Sequence, residues 1–136
     1  MIEGKKYIDT VKKYYSFLIT EFKMEIVDEK IRGNAFYDVQ YGDNTKVVSI
    51  NYENIEDYFQ VTIFKLQNEE LPDYDNQEQT LHLNRLNAIV ISKADKNEIS
   101  LNNEYFARFN AKEQLERKLL KSAKELRLSL KHFNEL

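Results

Sequence analysis

Residues 35–66, AFYDVQYGDNTKVVSINYENIEDYFQVTIFKL, constrain the fold most strongly, because apolar side chains recur there at every second position. Val48, Ile50 and Tyr52 alternate with Val47, Ser49 and Asn51, and Phe59, Val61 and Ile63 alternate with Gln60, Thr62 and Phe64. A period of two sends the sets to opposite sides of a strand, and β-branched and aromatic residues suit a pleated surface. One side is apolar and the other mixed. That pattern predicts an antiparallel sheet packed on one face, since parallel strands covered on both faces read as continuous apolar runs. Gly42, Asp43 and Asn44 tolerate positive φ and predict a hairpin turn. The Glu53 to Asp57 connection is equally short.

Upstream, Ile8, Val11, Tyr15, Leu18 and Phe22 follow steps of three and four, which predicts one amphipathic helix from Lys5 to Phe22. Tyr7 and Tyr14 fall on the edge of its stripe, where their hydroxyls are expected to stay wet. From Met24 to Ile31 the alternation changes phase, and a β-bulge near Ile26 and Val27 reconciles the two halves. Arg32, Gly33 and Asn34 form a turn, so 24–31 pairs with 35–41 as a hairpin. The expectation is a four-stranded meander after one helix.

Gln67 to Gln79 breaks every period, holding Pro72, five acids and no basic residue; it reads as a long exposed loop. Thr80 to Leu83 reads as a short extra strand. Asn84 to Lys93 reads as a short helix with Leu86, Ile89 and Val90 facing in, although its AIVIS run suits a strand equally well. Ala94 to Asn103 reads as polar loop, and Tyr105, Phe106 and Phe109 return to the core. Asn110, with Glu113 three residues on, predicts a capping box. Leu115, Leu119, Ser122, Leu126, Leu130 and Phe133 follow on one stripe, widened by Leu120, Ala123 and Leu128. The expected architecture is a single α+β domain over 1–136: an N-terminal helix, a four-stranded antiparallel meander, a short helix and a long C-terminal helix packed on one sheet face.

The 136 residues suffice for one core and include no cysteine, which removes thiolate chemistry, cysteine zinc sites and disulfides. No apolar run is long enough to span a bilayer, and Lys5 and Lys6 lead into an amphipathic segment instead of a signal sequence. A cytoplasmic chain with no membrane partner is expected. His82 and His132 lie outside any HxxxH, HxH or HExxH spacing, so no metal site is read. Three glycines leave no phosphate-binding GxGxxG or GxxxxGK motif, and no GxSxG elbow occurs. No cofactor is expected. The acid pairs Glu56/Asp57, Glu69/Glu70 and Asp73/Asp75 sit in turns or loop, where water levels the pKa differences that an acid and base need. No catalytic residue is assigned.

What remains is segregated charge. Glu53 to Glu78 holds eight acids against Lys65 alone, while Lys112 to Lys131 holds seven bases against three acids. Complementary potentials steer association, so Glu69, Glu70, Asp73, Tyr74 and Asp75 form the candidate partner-binding surface, the tyrosine anchoring where carboxylates steer. The YYSFLITEFKMEI segment, the NYENIEDYFQVTIFK meander, TLHLNRL and the closing basic helix together resemble small bacterial proteins grouped with immunity proteins of polymorphic-toxin and contact-dependent inhibition systems. The resemblance implies a toxin-neutralising protein that meets a basic toxin domain through an acidic surface. An alternative is a small-molecule or peptide carrier with Tyr37, Tyr41 and Tyr52 lining a pocket between sheet and helices. Nucleic acid on the basic helix is the third reading, and the net charge of −3 counts against it.

Overall fold

The computed structural model describes residues 2–68, 70–71 and 80–133. It confirms the α+β class and divides into two compact units, residues 1–82 and 83–136. The first unit holds α1 (Gly4–Tyr14), α2 (Phe17–Thr20) and an antiparallel sheet of β1 (Glu25–Arg32), β2 (Phe36–Gly42), β3 (Lys46–Glu53), β4 (Tyr58–Lys65) and β5 (Thr80–His82). Strand order follows the chain, β1-β2-β3-β4-β5. The meander thus has five strands, because Thr80–His82 pairs antiparallel with Thr62, Ile63 and Phe64.

The alternation fixes the faces. Tyr37, Val39 and Tyr41 lie opposite Tyr52, Ile50 and Val48, which lie opposite Phe59, Val61 and Ile63. This face carries the core, and α1 rests on it. Tyr7 stacks on the rings of Tyr37 and Tyr52, with centroids 5.5 and 6.0 Å away, and donates its hydroxyl to Ile50 O at 2.8 Å. Tyr7 is therefore fully buried, contrary to the expected wet hydroxyl. Gly4 permits the close approach, since a Cβ there would lie 3.0 Å from the Tyr37 ring and 3.1 Å from Ile31. The bulge expected near Ile26 and Val27 is present, as the β1–β2 register shifts between Ile26 and Asp28.

The first helix is shorter than its stripe suggested. It stops at Tyr14, and a new turn begins at Phe17. Tyr14, Tyr15, Phe17 and Leu18 are all buried. At 100° per residue these four positions would share one arc of about 160° in an unbroken helix, so their burial alone does not account for the break.

The second unit holds α3 (Leu83–Lys93), α4 (Lys96–Phe106) and α5 (Gln114–Lys131), with α3 and α4 each packing on α5. The AIVIS run is helical, and Leu86 and Val90 are buried, but Ile89 is exposed. Residues expected as polar loop form α4, because Asp95 caps it: the Asp95 carboxylate accepts from Glu98 N–H at 2.8 Å. The α5 cap sits three residues later than expected, with Glu113 as N-cap and the Glu116 carboxylate accepting from Glu113 N–H at 3.1 Å. Leu119, Leu126 and Leu130 on the expected stripe are buried, with Ala123 and Leu128. Among the described residues no helix is long and apolar enough to cross a membrane.

Candidate functional site

Of the five residues expected to bind a partner, Glu69, Asp73, Tyr74 and Asp75 lie outside the described residues. Glu70 is exposed in a tight reversal after β4, where it and Gln67 exchange backbone hydrogen bonds of 2.9 Å each way. The other described acids of the Glu53 to Glu78 stretch, Glu53, Glu56 and Asp57, do not join it. Glu53, Glu56 and Asp57 sit at the β3–β4 turn, and the eight residues of β4 run between that turn and Glu70. At about 3.3 Å per residue the two groups stand roughly 25 Å apart. Among the described residues, the acids of the β3–β4 turn and Glu70 therefore lie at opposite ends of β4.

The β3–β4 turn is held firmly. Asn54 Nδ2 donates to Asn34 O at 2.7 Å and to the Tyr37 hydroxyl at 2.9 Å, and Asn54 N–H donates to Ala35 O at 2.9 Å. Asp57 adopts φ +50°, a region uncommon outside glycine. Its carboxylate accepts from the Tyr52 hydroxyl at 2.6 Å. Burial, and then that carboxylate, push the Tyr52 hydroxyl up to about 12. Fixed in this way, the turn presents Ile55, 75% exposed, and Tyr58, 55% exposed, among its acids.

The second face of the sheet carries a feature the alternation pattern left as merely mixed. Gln40, Ser49, Thr62 and His82 form one rung across β2 to β5, and Asp38, Asn51 and Gln60 form the next. Asp38 is only 5% exposed, and its carboxylate accepts from Ser49 Oγ at 2.7 Å and Gln40 Nε2 at 2.8 Å. Asn51 Nδ2 donates to Ser49 Oγ at 3.1 Å, and Gln60 Nε2 lies 2.9 Å from His82 Nδ1. Thr62 Oγ1, between these pairs, is buried with no hydrogen-bond partner. Sequence reading missed Asp38, although an acid flanked by Tyr37 and Val39 inside a strand was the available signal.

Serine, histidine and aspartate share this face without forming a nucleophile and base. Ser49 bonds directly to Asp38 while His82 pairs with Gln60, and Thr62 occupies the rung between Ser49 and His82. A working triad needs the histidine on the nucleophile. The other histidine, His132, has Nε2 2.9 Å from the Glu98 carboxylate, a pairing of α5 with α4 that no local spacing announced. Among the described residues no group of three or more His, Cys, Asp or Glu is placed to hold a metal ion.

The tyrosines proposed as a pocket lining are packed instead. Tyr37 and Tyr41 are fully buried and Tyr52 is 6% exposed, with Tyr7 filling the space against Tyr37 and Tyr52. Burial, and then the charge of Glu29, raise the Tyr41 hydroxyl well above its usual range.

Charge divides along the units. Residues 1–82 hold nine bases against sixteen acids, a net charge of −7, and residues 83–136 hold eleven bases against seven acids, a net charge of +4. In comparison with known proteins the chain matches no family model, no curated protein and no solved structure.

Proposed function

We propose that this chain is a non-catalytic protein-binding module whose acidic sheet unit meets a basic partner in the cytoplasm. The observation that carries the reading is the net charge of −7 on the sheet unit, displayed beside a rigid turn with Ile55 and Tyr58 exposed. Acids steer a basic partner toward the surface, and an exposed aliphatic side chain with an aromatic one supplies the anchor that charge does not. The resemblance to immunity proteins makes the partner a toxin domain, with Glu69, Glu70, Asp73, Tyr74 and Asp75 a second contact. The tyrosine-pocket alternative draws no support from the packing of Tyr7 against Tyr37 and Tyr52.

The test is co-purification of the full chain with the protein domain encoded by the neighbouring gene, followed by affinity measurements on the mixed proteins. A stable complex, weakened by Glu53→Lys with Glu56→Lys, is expected. Absence of a complex with that domain, or affinity indifferent to those substitutions and to Glu70→Lys, contradicts the reading.

A further inference from the structure

We propose that the polar face of the sheet, centred on Asp38, binds an organic cation: an ammonium or guanidinium group seated on the Asp38 carboxylate. Asp38 is the one acid among the described residues that is less than a tenth exposed. A carboxylate removed from water is costly unless a positive charge answers it. Its two side-chain partners, Ser49 and Gln40, are both neutral. Lys30 stands directly across the ladder from Asp38, yet its ammonium lies 3.5 Å from the Asp28 carboxylate instead.

The surroundings fit a donor-rich ligand. Each Asp38 oxygen accepts one side-chain hydrogen bond and has a further lone pair. The Asn51 and Gln60 amide oxygens stand on the same rung, and Thr62 Oγ1 is buried without a partner on the next. Gln40 is half-buried and puts a neutral N–H where a cation would sit, so its side chain acts as a placeholder that yields to a stronger donor. The scarcity of grouped metal ligands among the described residues favours an organic cation over a metal ion. The group can belong to a free small molecule or to an arginine or lysine side chain of a polypeptide, and the site does not require the protein-binding reading above.

The test uses the full ¹⁵N-labelled chain titrated at constant ionic strength with L-argininamide, with acetyl-Ala-Arg-Ala-amide, and with the uncharged urea analogue citrullinamide. Saturable amide shifts centred on Asp38, Gln40, Ser49 and Thr62 are expected with L-argininamide and not with citrullinamide. A matching response to the tripeptide assigns the site to polypeptide side chains; a response to L-argininamide alone assigns it to free cations. Asp38→Asn, of the same shape, should weaken binding by at least about tenfold. Gln40→Ala keeps the carboxylate and should bind more tightly than the native chain. The proposal is overturned by no saturable shift, by shifts scattered over the acidic surface, by equal binding to Asp38→Asn, or by Gln40→Ala binding no better than native.

Discussion

The two compact units solve the problem of burying polar groups in different ways. In the sheet unit, neighbours in the ladder do it: Asp38, Gln40, Ser49 and Asn51 bond to one another across β2 and β3. Their proximity follows from strand register alone. In the helical unit the same task falls to residues far apart in the chain. Arg127 Nη1 donates to Asn102 Oδ1 at 2.9 Å, Asn102 Nδ2 donates to Lys124 O at 2.9 Å, and the Arg127 guanidinium lies 4.0 Å from the Tyr105 ring centroid. A cation is buried in the basic unit and an anion in the acidic unit, so each unit buries a charge of the sign it already carries in excess. The difference teaches that the sheet is held by aromatic packing with polar groups arranged on its other side, whereas α4 and α5 are joined through a polar clamp.

That contrast can be broken by substitution. The largest effect is expected for Tyr7→Ala, which empties the space against Tyr37 and Tyr52 and should cost about 3–5 kcal/mol in urea unfolding. Tyr7→Phe keeps the ring and should cost only about 1 kcal/mol for the lost bond to Ile50. Near-equal losses from the two would mean that the hydroxyl, not the packing, holds α1 on the sheet. Next comes Arg127→Ala, which leaves Asn102 Oδ1 without the guanidinium and uncovers Tyr105; a loss of about 2–3 kcal/mol by the same measurement is expected. Asp95→Ala removes the α4 cap and should cost about 1 kcal/mol, read as lost helical circular dichroism at intermediate urea.

The smallest effect concerns pH. Burial raises the Asp43 carboxyl, but hydrogen bonds from Thr45 and Lys46 outweigh it and hold the group below its usual value of 3.8. A depressed folded value adds stability above the unfolded value, and that stability disappears as pH falls through the folded one. Asp43→Asn should therefore be less stable than native at neutral pH, with the gap closing below pH 3.8. A gap that stays constant on acidification would assign the turn's stability to uncharged hydrogen bonds.

Much of the sheet unit was legible because its determinants are local. Period-two alternation gave the faces of β2 to β4, the phase change gave the bulge, and Gly33 at φ +56° marks the first turn. The helical unit was harder to read. Asp95-Lys96-Asn97-Glu98 carries an N-cap pattern, but the polar residues after it hide the stripe that usually confirms a helix. The choice between strand and helix for AIVIS turns on tertiary packing of Leu86 and Val90, which periodicity over five residues does not determine. The break after Tyr14 was hidden because Tyr14, Tyr15, Phe17 and Leu18 keep one apolar face across it, so the periodicity runs through unchanged. For the site, net charge by segment pointed to the sheet unit, but the separation of Glu53, Glu56 and Asp57 from Glu70, and the buried Asp38, arise from register and are invisible in a count of charges.

The most direct test is the association rate of the full chain with the domain encoded by the neighbouring gene, measured by stopped flow across a range of salt for two charge-reversed variants. One carries Glu53→Lys with Glu56→Lys in the sheet unit, and the other carries Arg117→Glu with Lys121→Glu in the helical unit. The account predicts that association slows steeply with salt, slows further in the first variant, and is unchanged or faster in the second. Slower association in the second variant, with the first behaving as native, would place the partner on the basic helices and contradict it.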